Sequence, residues 1–289
     1  MFTIKPLALA DIPAARRLSD AAGWNQLDVD WERFVSLWPQ TVLGGWLEDR
    51  LVATASLAYF EPAAGESLRL GWIGVMLVDV ACRGAGYGGK IFDAAMRCGA
   101  DRGIVDYGLD ATDLGRPLYL KRGYVDRFGM NRWVCKSPSP DGTSAGCRCY
   151  GEADWEWIIA LDQRASRVNR TVLLKRLAQE PGAKVVVAED GRGFAMYRLG
   201  RVAGYIGPIV AEDAEVAGRL CQALVAAHAR EDSSVPLFVD VGEGSPLENT
   251  LTAAGFVVAR RLVRMGKATD QHPLAYGPMV FAVAGLELC

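Results

Sequence analysis

Long apolar runs are missing from this sequence: nowhere do 18 or more apolar residues follow one another without a charge, and the densest stretch, GWIGVMLVDVAC, is too short to span a bilayer. The first residues, MFTIKPLALADIPAARR, lack an apolar core of signal-peptide length, being interrupted by Asp11 and Pro13, so a cytoplasmic protein without membrane contact is expected. Histidine is scarce, with only His228 and His272, and neither is assigned a catalytic role. The 7 cysteines form no regular framework. Cys147 and Cys149 make a CxC, but no second Cys or His pair lies nearby to complete four metal ligands, so no metal site is expected and the thiols read as reduced. An excess of one charge is absent too: 32 basic against 34 acidic residues give a net charge of −2, which argues against a nucleic-acid partner. What is present is ample apolar material, 51% of 289 residues, enough for one large or two ordinary globular domains.

Pro, Ser, Gly and Asp crowd into KSPSPDGTSAGCRCYG at residues 136–151, where no apolar periodicity survives. The stretch predicts a linker at 137–150 between a first domain, 1–136, and a second, 151–289. In the first, a strand at Phe2–Lys5 precedes a helix from Asp11 to about Ala22 and a second helix at Val29–Leu37. Strands follow at Leu43–Glu48, Leu51–Tyr59 and Arg69–Val78, then a glycine loop, a helix at Gly89–Asp101, a strand at Val105–Asp110, a helical Pro117–Arg122 and a strand or bent pair at Val125–Val134. This order implies an α/β (α+β) protein, a mixed sheet flanked by helices. The second half repeats the plan from its own hairpin onward: Gly204-Tyr205-Ile206-Gly207 echoes Gly71-Trp72-Ile73-Gly74, Pro246-Leu247 echoes Pro117-Leu118, and Gly255-Phe256 echoes Gly123-Tyr124. Its helix, Glu215–Ala229, has no glycine loop before it. A further strand is expected at Met279–Val283.

RGAGYGGK, residues 83–90, joins an apolar strand to a helix. Glycines let backbone N–H groups approach a ligand closely, and the helix aims its positive end at the loop, so a pyrophosphate is the natural guest. The nucleotide P-loop pattern fails because Ile91 stands where Ser or Thr is needed. The dinucleotide pattern GxGxxG is formally met by Gly84, Gly86 and Gly89, with Asp110 about 20 residues on, but the loop follows a hairpin instead of opening a strand–helix–strand unit. A nicotinamide-dependent oxidoreductase therefore stays a weak alternative.

The third pattern agrees with its flanks. Arg83-x-x-Gly86-x-Gly88 within LVDVACRGAGYGGKIFDAAM resembles the coenzyme A signature of the Gcn5-related N-acetyltransferase (GNAT) superfamily, and PLYLKRGY resembles that family's later helix and strand start. GWNQLDVDW, LDATDLGRPLYLKRGY and the appended half are similar to a two-domain subgroup, tandem GNAT-like domains with a degenerate C-terminal copy.

The resemblance implies an acetyl-CoA-dependent N-acetyltransferase acting on a small-molecule amine in a ternary complex. It implies that Leu77 and Val78 offer backbone groups to pantetheine and the acetyl carbonyl, and that Arg83, Gly84, Gly86, Gly88, Gly89 and Lys90 surround the pyrophosphate. Tyr119 stands at the family's general-acid position, and a phenol is protonated at neutral pH as an acid must be. The aligned position in the second half, Glu248 or Leu251, does not restore it. The strand before the loop lacks the Glu that many members carry, which leaves Asp110 as the best carboxylate for a base, and Thr112 stands where relatives place an Asn. Trp24, Asn25, Tyr59 and Trp72 are the expected acceptor-binding residues. A non-catalytic acyl-CoA or metabolite sensor is the alternative, and either a monomer or a homodimer is compatible with the sequence.

Overall fold

The computed structural model describes residues 1–142, 144–267 and 276–289, and its spine is a mixed sheet of 13 strands. The first half runs β1 (Phe2–Pro6), α1 (Ile12–Ala21), α2 (Asp28–Leu37), β2 (Val42–Leu47), β3 (Arg50–Phe60), β4 (Leu70–Val78), α3 (Tyr87–Ala100), β5 (Asp106–Ala111), α4 (Arg116–Leu120) and β6 (Tyr124–Cys135). The second runs β7 (Cys147–Cys149), α5 (Trp155–Ser166), α6 (Thr171–Ala178), β8 (Lys184–Ala188), β9 (Gly193–Arg198), β10 (Gly204–Ala211), α7 (Ala214–Asp232), β11 (Leu237–Gly242), α8 (Leu247–Ala253), β12 (Val257–Lys267) and β13 (Val280–Ala282). Among the described residues no helix is long and apolar enough to cross a membrane.

The internal echo corresponds to real structural equivalence. β4–α3–β5 and β10–α7–β11 are both parallel strand–helix–strand units, each preceded by an antiparallel hairpin partner, β3 or β9. The echoed glycines lie at the start of the paired stretches, Gly71 second, opposite Tyr107, and Gly204 first, opposite Leu237. The last strands of the two halves are exchanged. The sheet order is β1-β2-β3-β4-β5-β12-β6-β11-β10-β9-β8-β7, so β12 of the second half lies beside β5 of the first, and β6 of the first lies beside β11 of the second. The stretch expected as a linker ends in β7, which pairs with β8. The expected strand at Met279–Val283 is β13, antiparallel to β10. His272 lies outside the described residues.

Alternation along the strands sorts the core into two faces. Trp72 joins a cluster built from both halves, including Trp31 and Phe34 of α2, Ile158 of α5 and Leu174 of α6. Its neighbour Ile73 packs with Ile91, Phe92 and Ala95 of α3 on the other face, and α7 forms its own cluster through Leu220 and Leu224. The shared face is pinned by buried charge: Arg33 on α2 donates to Asp30 at 2.5 Å and to Glu180, beyond α6, at 2.5 Å.

Candidate active site

β4 and β5 pair only from Leu70–Ile73 with Asp106–Leu109. Beyond Ile73 the two strands part: β4 continues to Val78 against β3 alone, while β5 turns to β12 through Asp110 and Ala111. The parting begins at a bulge, where the register with β3 shifts between Thr54 and Ser56. Val75 takes a φ of +39°, and the Thr54 hydroxyl fixes it by donating to the Val75 carbonyl at 2.7 Å. Gly74 sits at the same place because residues 284–289 cross the strand there; a Cβ on it would lie 2.8–2.9 Å from Glu287 atoms.

A cavity of about 650 Å³ fills the cleft and extends to the glycine loop. Asp79 accepts the Ala81 N–H at 2.9 Å to form the turn after β4, and the Arg83 guanidinium donates back to the Val78 carbonyl at 3.2 Å. Gly84 and Gly86 have φ of +82° and +79°, and a Cβ on either would meet nothing within 4 Å. They therefore give the loop its left-handed turns and leave its mouth open. The first bond of α3 runs from the Lys90 N–H to the Gly86 carbonyl at 3.1 Å, so the Tyr87, Gly88 and Gly89 amides have no intrahelical partner. This is an anion cradle of the kind a pyrophosphate fits.

The structure brings Leu77, Val78, Arg83, Gly84, Gly86, Gly88, Tyr119, Asp110, Trp24 and Asn25 to the cavity wall. Tyr119, on α4, is buried against Phe92 and Tyr124 with ring centroids 5.4 and 6.2 Å away, and burial pushes its phenol well above the ordinary value. Asp110 reaches the wall only through its main chain. Its carboxylate has no exposure and accepts two hydrogen bonds from Arg264 of β12, at 2.9 and 2.8 Å. Burial raises its pKa, and the guanidinium opposes that rise. Asn25 ties down the loop before β10: its Oδ1 accepts the Val202 and Ala203 N–H groups at 2.9 and 3.1 Å.

Four expected residues lie elsewhere. Trp72 is fully buried behind the cleft, stacked 4.4 Å from the Arg264 guanidinium, with its indole N–H donating to the Leu286 carbonyl at 2.8 Å. Tyr59 is held near Arg102, 5.6 Å from its ring, and does not line the cavity. Lys90 is exposed and turns onto the rings of Phe2 and Tyr87. Gly89 is the third residue of α3 and stands off the cavity wall, where a Cβ would meet Arg122 at 2.6 Å. Trp72 and Tyr59 are thus corrected from acceptor contacts to framework residues and Lys90 from the expected cradle to its margin, while Gly89 contributes its backbone amide alone.

The cavity also has walls the sequence reading did not foresee: Gln26, Arg132 on β6, Arg260 and Leu262 on β12, and Leu286 and Glu287. Gln26 needed only the next step along the loop from Trp24 and Asn25. The others arrive through strand exchange and the crossing of residues 284–289. The one local signal was Gly74, a glycine inside an apolar strand that marks a close backbone approach.

Residues 158–278 match the family model of the acetyltransferase (GNAT) domain. A putative acetyltransferase from Pyrococcus horikoshii is 19% identical with a TM-score of 0.83, the alignment covering 100% of this chain and 96% of that one. A GCN5-related N-acetyltransferase from Sphaerobacter thermophilus is 16% identical at a TM-score of 0.64, covering 92% and 95%. A tandem GNAT protein from the clavulanic acid biosynthesis pathway is 15% identical at 0.65, covering 92% and 98%. No curated protein matches the sequence. The fold is that of the GNAT superfamily, in the tandem arrangement, and the family-model match falls in the half without the glycine loop.

Proposed function

We infer that this chain, built on the GNAT fold, is an acyl-CoA-dependent N-acetyltransferase whose acceptor is the amine of a small molecule. The observation that carries the reading is the continuity of the parted β4–β5 cleft with the open glycine cradle at the start of α3. The amides and left-handed glycines of residues 83–88 fit a pyrophosphate, and the free edge of β4 at Leu77 and Val78 fits an extended pantetheine chain. Bound there, acetyl-CoA supplies the thioester carbonyl that a neutral amine attacks and the sulfur that leaves.

The chain's own residues divide the proton work. Tyr119 holds its proton at Oη, in a buried setting that keeps it there, and delivers it to the departing sulfur. Asp110 is assigned a positioning role, because both its oxygens are engaged by Arg264 inside the sheet. The base falls to Glu287, directly or through water. It lines the cavity, and its nearest cation, Arg198, stands at 3.6 Å, beyond hydrogen-bond reach.

Calorimetric titration with acetyl-CoA, with NAD as control, tests the reading. Saturable acetyl-CoA binding is expected in the wild type and is lost in Gly86→Val, which fills the open mouth of the loop. A folded wild type that ignores acetyl-CoA refutes it. Tyr119→Phe is expected to lower turnover about 10²–10⁴-fold with acetyl-CoA affinity unchanged. Binding with no turnover of any amine would point instead to an acyl-CoA sensor.

A further inference from the structure

Two arginines that line the cavity, Arg132 and Arg260, lie side by side in the sheet, and only one of them has a hydrogen-bonded partner. In the register of the sheet, Arg260 of β12 stands directly opposite Arg132 of β6, and Arg132 stands opposite Asp240 of β11. Opposed residues share a face, and like charges so placed repel. Arg132 is compensated, donating to both Asp240 oxygens at 2.8 and 2.7 Å. Arg260 makes no hydrogen bond or ion pair with any described residue. Partial burial and then the neighbouring Arg132 lower its pKa, and Asp240, already hydrogen-bonded to Arg132, opposes that shift.

These cations are not part of the coenzyme cradle. Counting by twos along β12, Arg260, Leu262 and Arg264 share a face, and Arg264 binds Asp110 and stacks on Trp72. The alternate residues, Val263 and Met265, with their β5 partners Ala111 and Leu109, pack with α3 on the opposite face. The same cavity holds a second unmet group. Gln26 is only 9% exposed, lines the cavity, and its Oε1 has no hydrogen-bond partner among the described residues. Arg260 without a hydrogen-bonded partner, the unmet acceptor of Gln26 and the apolar side chains of Trp24 and Leu262 line one cavity.

We propose that the acceptor is an amine bearing a carboxylate, an amino acid or close analogue, with its carboxylate held by Arg260 beside Arg132 and its nitrogen facing Gln26 and Glu287. A guanidinium with no hydrogen-bonded partner is free to take one negative charge, and its fork matches a carboxylate bidentately. The proposal rests on the acyltransferase reading, so its test separates the two.

The test is calorimetry on the full chain, alone and saturated with coenzyme A, using amino acids paired with their decarboxylated amines: leucine with 3-methylbutylamine, phenylalanine with 2-phenylethylamine, and the rest of the twenty likewise. At least one amino acid is expected to bind about tenfold or more tightly than its amine. In Arg260→Gln, whose side chain lines the cavity at its solvent-open edge, that preference should shrink to about threefold or less, while amines without a carboxylate bind variant and wild type alike. Equal binding of every pair, no binding of any amino acid, or a preference unchanged in Arg260→Gln overturns the proposal. Absent acetyl-CoA binding would overturn the acyltransferase reading alone, because carboxylate selectivity is measured independently on the chain without coenzyme.

Discussion

Replacing Asp110 with alanine probes the ion pair that joins β5 of the first half to β12 of the second. Both side chains have 0% exposure, and the pair is bidentate at 2.9 and 2.8 Å. Without Asp110 the Arg264 guanidinium has nowhere to go. It is stacked 4.4 Å from the Trp72 ring, 5.2 Å from Tyr276 and 5.6 Å from Phe128. Its Nη1 already lacks a partner among the described residues. A buried charge stripped of its partner costs about 3–5 kcal/mol, a large share of an ordinary domain stability of about 5–15 kcal/mol. The aromatic stacking survives the substitution, so the low end of that range is expected. The double variant Asp110→Leu with Arg264→Met removes both charges and their desolvation penalty together, and should recover most of the loss. Urea titration followed by fluorescence and circular dichroism reads all three proteins. A single variant losing less than about 1 kcal/mol, or a double variant as unstable as the single, refutes the claim that the pair works by mutual neutralisation in a dry site.

Alkali should unfold the protein. Burial raises the folded-state pKa of Tyr119, Tyr124 and Tyr205, while in the unfolded chain these phenols ionise at about 10. The stability they contribute is fully present below that value and is lost as pH rises above it, because the unfolded chain then binds fewer protons. A urea midpoint that stays constant up to pH ~11 would contradict this. Asn25→Ala should release the loop before β10, since it deprives the Val202 and Ala203 amides and the Ala203 carbonyl of partners. About 1–3 kcal/mol is expected, together with faster amide exchange at residues 202 and 203; unchanged exchange there would show that the clamp is idle.

Local chemistry made the first half readable. The Asp49-Arg50 turn between two apolar stretches, the apolar run before the loop and the glycines themselves each declare their element within a short window, and the observed strands agree to within one or two residues. The cradle was legible for the same reason, since Gly84 and Gly86 act through their own backbone. Helices α5 and α6 were passed over because their apolar faces complete a core shared with α2, and the sequence of the second half says nothing about that partner. β12 was passed over because Val257, Val258 and Arg260 are exposed and polar residues interrupt its pattern. The aromatic residues misled for a related reason: Trp72 and Tyr59 have the chemistry of a binding wall but are occupied by Arg264 and Arg102. Asp110 was found at the cleft, and only its distant partner, Arg264, reveals that its charge is already spoken for.

The exchanged strands also set an order of events in folding. β5 cannot acquire its neighbour until residues 257–267 have been made, so the first half must wait with an open sheet edge while more than a hundred further residues emerge. Closing a loop from Asp110 to Arg264, 154 residues apart, costs about 4.5 kcal/mol of chain entropy by the logarithmic rule, before any contact repays it. Such distant pairings slow folding and leave strand edges exposed to other chains. Low concentration and low temperature should therefore favour recovery of this protein from denaturant, and the two halves expressed separately should each tend to self-associate through the edge the other one covers.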